Sequence, residues 1–342
     1  MRRRGQDNAL NGICPYFTMF PLDFPYSILN RYASAGHWVM DPFCGRGTTN
    51  CASRLLGLPS IGIDSSAVAV ALSQAKLVNT SPQIIIRTAR RILDEVEAPD
   101  QLPEGEFWEW AFHKDVLRSV CRLREGLLKD CRSDSRKALR AIVMGALHGP
   151  QPKSHPSYLS NQAPRTYAPK PRYATGFWKS RELLPPHVDV MKIIEKRAYR
   201  YYSSELAVAV GKVVQGDSRR KNVYRVIGRN KIKWVITSPP YYGIRTYIPD
   251  QWLRLWFLGG QSTVDYSTKG QLQHSSPDEF ASQLKQVWQN VGSVCTSKAR
   301  LVIRFGAIND RKVDPLSLIR QSLKDSGWKI KTTKPAGSAS KG

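Results

Sequence analysis

No apolar run in this 342-residue chain approaches the ~20 residues that a membrane-spanning helix requires, so no such span is expected. No CxxC pair occurs among the six cysteines, Cys14, Cys44, Cys51, Cys121, Cys131 and Cys295, which argues against a zinc cluster or a disulfide framework and leaves reduced thiols. His148 and His155 have no paired metal ligands beside them and read as loop histidines, so no metal is expected. The opening, MRRRGQDNALNG, is positively charged but leads into neither an apolar run nor a small-residue cleavage site. It does not read as a secretory signal, and a cytoplasmic protein is expected. Internal repeats are also lacking. Acidic residues are few beside the basic ones: 27 Asp and Glu face 52 Lys and Arg, a formal net charge of +25. That excess points to a polyanionic partner, because neutralising phosphates and releasing their counterions is what it does best. The 41% apolar and 23% charged content is that of an ordinary globular chain, long enough for one large domain or a domain with a sizeable insertion.

What is present is a βαβα beginning. WVMD at 38–41, a glycine-rich turn and an Ala/Leu segment from Thr48 to Leu56 read as strand, loop and helix. SIGID at 60–64 reads as a second strand ending in an acid, and SAVAVALSQAKLVN as the helix behind it. Strand-like runs return at 207–217 (AVAVGKVVQGD) and 233–242 (KWVITSPPYY), and LVIRFGAI at 301–308 and WKIKTT at 328–333 resemble closing strands. Strands alternating with helices predict an α/β fold with a doubly wound, mostly parallel sheet.

Between the second and third strands lie roughly 120 residues, from Ile84 to Glu205, too many for a tight connection. The predicted organisation is therefore a first half at 14–83, an insertion at 84–205, a second half at 206–334 and a flexible tail at 335–342. The first part of the insertion has helical apolar spacing. Its second part, from about 149 to 186, is rich in proline and is expected to be an extended loop.

Two constellations carry chemistry. DPFCGRGTT, Asp41 to Thr49, occupies the first strand-to-helix turn. Gly45 and Gly47 let the backbone approach a ligand, and the helix N-terminus behind them offers N–H groups to a carboxylate or phosphate. Asp64, ending the next strand, sits where a carboxylate commonly accepts hydrogen bonds from ribose hydroxyls. An adenosine-bearing ligand fits both. TSPPYYG, Thr237 to Gly243, follows the apolar strand WVI. Pro239 and Pro240 cannot donate main-chain hydrogen bonds and hold φ near −65°, so they stiffen the turn and leave carbonyls outward. Ser238 and those carbonyls can accept both hydrogens of an amino group, and Tyr241 offers a ring for stacking a base.

Together the two segments resemble the amino-methyltransferases of DNA, the cytosine-N4 and adenine-N6 family. There DPFxGxGTT is the cofactor motif and (S/N/D)PP(Y/F) the catalytic one, and this chain has DPFCGRGTT and SPPY. CPYFTMFPLDFPYSILNRY upstream resembles a further motif near the cofactor's methionine end, GIDSS the second motif and GDS at 216–218 the third. The resemblance spans about residues 14–80 and 207–310, with the insertion outside it. It implies a Rossmann-like fold and S-adenosylmethionine as cofactor. It places Asp41, Phe43, Gly45 and Gly47 along the cofactor, Thr48 and Thr49 near its methionine carboxylate, Asp64 on its ribose and Asp217 at its adenine amino group. Double-stranded DNA is the implied substrate, and a cognate restriction endonuclease the implied partner. Ser238 at the first catalytic position, where adenine enzymes more often carry Asp or Asn, implies cytosine N4 rather than adenine N6.

The amino nitrogen of either base is a poor nucleophile, its lone pair being delocalised into the ring. Accepting its hydrogens at Ser238 and a carbonyl of the proline pair favours a pyramidal nitrogen aimed at the sulfonium methyl. No Pro-Cys pair stands near a catalytic position, which argues against ring-carbon methylation. The target atom is inaccessible in a duplex, so the base must be flipped out. For DNA contact the sequence points to 151–181, where Lys153, Arg165, Lys170, Arg172, Lys179 and Arg181 alternate with Tyr158, Tyr167, Tyr173, Phe177 and Trp178 and no acid intervenes. Arg165, Lys170, Arg172 and Lys179 are the candidate DNA contacts. An RNA methyltransferase, a protein methyltransferase and a catalytically silent DNA-binding relative are the competing classes. Parallel assays of methyl transfer to DNA, RNA and protein separate them.

Overall fold

Short β-branched and apolar runs form the first four strands, and each of these is closed by a turn residue or an acid where the apolar pattern stops. The computed structural model describes residues 9–16, 20–149, 157–163, 169–204, 207–229, 231–243, 247–266, 272, 275–306 and 313–335. In chain order the first elements are α1 (Asp23–Tyr32), β1 (Trp38–Asp41), α2 (Thr48–Leu55), β2 (Ser60–Asp64) and α3 (Ala67–Ala75). Then come α4 (Pro82–Glu95), α5 (Glu106–Ala111), α6 (Lys114–Lys129), α7 (Asp134–Ala146), α8 (Pro171–Lys179) and α9 (Val190–Tyr202). The last are β3 (Gly211–Gln215), β4 (Ile232–Thr237), α10 (Tyr247–Asp250), α11 (Trp252–Phe257), α12 (Pro277–Gly292), β5 (Cys295–Ile303) and α13 (Pro315–Leu323).

The chain divides into two units. The sheet unit comprises Phe17–Leu77, Leu206–Arg245 and Thr268–Gly342. Its five strands are all parallel, in the order β3-β2-β1-β4-β5. Side chains alternate across the sheet as a strand's period of two requires. Met40, Ile61, Ile63 and Val235 enter one core with Phe280, Leu284 and Trp288 of α12. Val39, Trp234 and Ile236 enter the other with Leu29 of α1 and Cys51 and Ala52 of α2. Both faces are therefore covered, as parallel sheets require. The strand order reverses between β1 and β4, and in such sheets ligands bind in the crevice outside the carboxyl ends of the strands at that point. This is the Rossmann-like, doubly wound α/β sheet that the sequence predicts.

One expected strand is absent. WKIKTT at 328–333 carries no strand, because Trp328 is pinned by its ring while the residues after it stay largely exposed. Its Nε1 donates to the Trp288 carbonyl at 3.0 Å, and its backbone N–H to Ser326 Oγ at 3.3 Å.

The helical unit comprises Met1–Tyr16, Val78–Glu205 and Thr246–Ser267, and its described elements are all helical. Ser81, Ser133 and Asp189 cap α4, α7 and α9 by accepting a backbone N–H of the first turn. Ile85, Ile86, Ala89 and Ile92 form the buried stripe of α4 at helical spacing. An aromatic cluster fills the interior: Trp108 lies 4.5 Å from Trp256 and Phe107 5.0 Å from Trp252, between ring centroids. The proline-rich stretch corrects the expectation of an extended loop, since it contains α8. Pro171 stands in the first turn of α8, where its missing N–H costs no bond, and Ala174 and Trp178, four residues apart, are buried. His148 lies in the bend after α7, as the loop reading expects, and is buried there, its Nδ1 hydrogen-bonded to Ser160 Oγ at 2.8 Å. Burial lowers its pKa to about 3, and the nearby Arg254 charge adds to the effect. Among the described residues no helix is long and apolar enough to cross a membrane.

Candidate active site

Asp41 closes β1 and is 1% exposed. Its Oδ1 accepts hydrogen bonds from the Phe43 backbone N–H at 3.0 Å and Thr237 Oγ1 at 2.6 Å, and its Oδ2 from Thr49 Oγ1 at 2.9 Å. One carboxylate thus joins the turn after β1, the first residues of α2 and the last residue of β4. Burial raises its pKa to about 6, against the pull of the bonds from Thr237, Phe43 and Thr49.

The turn itself is left-handed at Gly45 and Gly47, with φ of 50° and 75°. Gly47 is required twice over, because a Cβ there would also come within 2.6 Å of Ser73 Oγ and 2.9 Å of Ser73 Cα. Ser73 reaches across from α3 and donates to the Gly45 carbonyl at 2.9 Å. Asp64, ending β2, accepts from Gly45 N–H through Oδ2 and from Ser66 N–H through Oδ1, each at 2.9 Å. A further backbone bond comes from Ser65, and the lone-pair capacity that remains is open to a ligand donor. Burial pushes its pKa up against those bonds. Cys44 is buried in the turn, and burial, with Asp64 and Asp41 nearby, raises its thiol pKa well above the ordinary value, so it stays protonated.

Phe43 is half-buried and meets Trp288 edge-on, 6.2 Å between centroids. Thr48 and Thr49 open α2 and are both buried. Asp217 follows β3 and is held by Arg219, whose Nη2 lies 2.7 Å from Oδ2 and Nε 2.9 Å from Oδ1. Burial would raise the Asp217 pKa, but the hydrogen bonds and charge of Arg219 bring it below the usual value. Arg219 also donates to Gln283 Oε1 at 2.7 Å.

The second turn leaves the neighbouring strand, β4. Ser238 and Pro240 are half-buried and Pro239 buried. The Ser238 hydroxyl makes no hydrogen bond within the described residues. Tyr241 is 7% exposed and packs edge-on against Phe305, 5.3 Å between centroids at 75°. The structure thus brings DPFCGRGTT and SPPY to the carboxyl ends of adjacent strands, one on each side of the point where the order reverses. Sequence reasoning missed Ser73 and Arg219, the side chains that hold Gly45 and Asp217, and named Thr237 only as the start of its motif, without its bond to Asp41. Thr237 meets a carboxylate 196 residues away and Ser73 a carbonyl 28 away, whereas Arg219 stands two residues from Asp217, a spacing that could have marked it.

In the helical unit, Arg165 lies outside the described residues, as do Lys153, Tyr167 and His155. Lys170 pairs with Asp250 at 2.8 Å, and Lys179 pairs with Glu106. Arg172 is exposed. Trp178 is fully buried, its Nε1 donating to the Gln162 carbonyl at 3.0 Å.

Sheet order, glycine turn and strand-end acid together define a Rossmann-like, doubly wound sheet with a nucleotide-type ligand turn. Residues 2–75 match the family model of the N6/N4 type described as DNA methylase. The Type II methyltransferase M.MthZI of Methanothermobacter thermautotrophicus is 35% identical over 81 residues, 23% of this chain and 22% of that protein. The matched part of the chain thus spans about a fifth of that relative's length. Two structures of the rRNA methyltransferase AviRa from Streptomyces viridochromogenes align over 92% and 90% of this chain and 85% and 86% of theirs, each at 13% identity with a TM-score of 0.37. The family match and the relative support the amino-group DNA methyltransferase family for this chain. Family and fold imply S-adenosylmethionine as methyl donor. The donor set fits that group: a glycine turn opening a helix, and a carboxylate with free lone pairs at the end of β2.

Proposed function

We propose that the chain transfers a methyl group from S-adenosylmethionine to the exocyclic amino nitrogen of a flipped base in double-stranded DNA, with cytosine N4 the acceptor rather than adenine N6. The observation that carries this reading is the placement of SPPY and DPFCGRGTT on adjacent strand ends, coupled through Asp41 to Thr237 on one side and Thr49 on the other. Phe43, Gly45, Gly47, Thr48 and Thr49 form the cofactor side, with Asp64 toward the ribose and Asp217 toward the adenine. Asp41 acts through Thr49 and Thr237 as a positioning residue. The cofactor supplies an electrophilic methyl group.

On the other side Ser238 Oγ and a carbonyl of the Pro239–Pro240 turn accept the two amino hydrogens. Ser238 has a hydroxyl unengaged among the described residues and sits before a backbone that two prolines immobilise, so the acceptors are preorganised. Tyr241, braced by Phe305, walls the base slot. DNA contacts fall to Arg165, Lys170, Arg172 and Lys179 of the insertion, supported by the net charge of +25. An enzyme of this kind works where the DNA is, in the cytoplasm, and a cognate restriction endonuclease is the partner that a type II pair calls for. Nucleoside analysis of DNA from a methylation-free host expressing the chain tests the acceptor. N4-methylcytosine is expected, while N6-methyladenine alone would reverse the choice of base and leave the mechanism standing.

A further inference from the structure

Helix α8 presents one face outside the aromatic interior of the helical unit. An open groove of about 660 Å3 runs along it, lined by Lys170, Arg172, Tyr173, Gly176, Phe177 and Arg181 among others. Tyr173 and Phe177 lie one helical turn apart with rings 24° from parallel and centroids 6.4 Å apart. The Arg181 guanidinium lies 4.2 Å from the Phe177 centroid. Guanidinium, Phe177 and Tyr173 therefore form a ladder, and Tyr173 remains 57% exposed at its end. Gly176 sits between the two aromatic positions, and a Cβ there would meet nothing within 4 Å, so the groove floor is bare backbone.

An aromatic side chain more than half exposed on a fixed helix is a surface that water solvates poorly, and it calls for an occupant with a flat face. The charges select which one. Lys170 is paired with Asp250 and Lys179 with Glu106, but Arg172 is exposed, Arg181 lies along the ladder, and no acid lines the groove. A flat group flanked by negative charge describes a nucleotide better than an apolar peptide or an acyl chain. Stacking on aromatic side chains with phosphates at nearby arginines is how unpaired bases are bound without regard to sequence.

We propose that the Tyr173–Gly176–Phe177 face of α8 is a stacking platform for an unpaired base of the bound DNA, with Arg172 and Arg181 taking the flanking phosphates. The inference rests on DNA being the substrate and adds a second base contact, in the helical unit, to the one assigned to the Ser238–Tyr241 turn. It also moves the burden of phosphate contact from Lys170 and Lys179, which are ion-paired, to the two arginines.

Fluorescence anisotropy with the full chain and a labelled duplex carrying one unpaired base, compared over a salt series with the fully paired duplex and the equivalent RNA, tests it. Tyr173→Ala should weaken binding to the bulged duplex by about tenfold, within the range that stacking one base accounts for, and leave the salt slope unchanged. Arg172→Ala should lower that slope by ~0.9. Gly176→Leu, whose Cβ would meet nothing within 4 Å, projects into the groove and should mimic Tyr173→Ala while keeping the wild-type melting temperature, with Gly176→Ala as its folded control. Wild-type affinity in both Tyr173→Ala and Gly176→Leu, in an enzyme that still methylates DNA, overturns the platform and spares the function. A wild-type chain that neither binds nor methylates DNA removes the functional reading instead. Tight, Tyr173-dependent binding of RNA in place of DNA overturns the choice of nucleic acid.

Discussion

The turns after β1 and β4 lie at adjacent strand ends but are held by different physics. The first is fixed by a polar network: Asp41 receives Thr49, Thr237 and Phe43, Asp64 receives Gly45 and Ser66, and Ser73 fastens the Gly45 carbonyl. The second is fixed by covalent stiffness and packing, with two prolines, a ring lodged on Phe305 and a serine hydroxyl that has no hydrogen bond among the described residues. In the first turn the polar groups are consumed by structure, so substitution there should disturb the fold and cofactor binding together. In the second the serine is spare, so its loss should disturb chemistry alone.

Breaking the hub should have the largest effect. Asp41→Ala removes the acceptor of the buried Thr237 hydroxyl and of the Phe43 N–H, while Thr49 keeps the Ile236 carbonyl at 3.1 Å. It should cost on the order of 3 kcal/mol of stability, read from urea unfolding, with methyl transfer falling as both turns loosen. Ser238→Ala should instead lower methyl transfer by ~10²-fold with an unchanged unfolding midpoint and unchanged S-adenosylmethionine affinity by calorimetry. Asp64→Ala should show the opposite pattern in the titration, losing cofactor affinity. If Ser238→Ala and Asp64→Ala lose affinity equally, the division between the turns fails. Gly47→Ala sharpens the contrast, since both the positive φ and the overlap with Ser73 oppose it. About 2 kcal/mol of stability should go, together with cofactor affinity.

The smallest effect is a pH slope. Asp41 has a folded pKa of about 6 against an ordinary 3.8, so between those values the folded state holds a proton that the unfolded state releases. Its contribution therefore weakens stability as pH rises through that window and is fully unfavourable above pH 6. Between pH 5 and pH 7 the unfolding free energy should fall by about 1 kcal/mol from this group, and Asp41→Asn should flatten that slope. A wild-type slope of the opposite sign that Asp41→Asn leaves unchanged would show that Asp41 is already ionised at pH 5.

The sheet was legible wherever an apolar run met clear punctuation. SIGID ends at Asp64 and WVMD at Asp41, and the structure closes β2 and β1 at those residues. WKIKTT had the run without neighbours to pair with. The reverse error concerns α8, where a Pro-rich composition hid a helix whose first residue is itself a proline and whose register is set by Ala174 and Trp178 entering the interior. In the candidate site, the motif residues could be read locally, but their couplings could not. Asp41 reads as part of a cofactor motif, yet it meets Thr237 through a fold that brings together residues 196 apart. Lys170 and Lys179 likewise read as free cations because Asp250 and Glu106, their partners, are remote in sequence.

The central claim is direct methyl transfer to an amino nitrogen with Ser238 as acceptor of its hydrogens. It is tested most directly by following labelled methyl from S-adenosylmethionine into duplex DNA, RNA and protein with the wild-type chain and Ser238→Ala side by side. The account predicts label in DNA, recovered as N4-methylcytosine, and a loss of ~10²-fold in the variant. Label in RNA or protein but not DNA, or a Ser238→Ala chain working at the full rate, would contradict it.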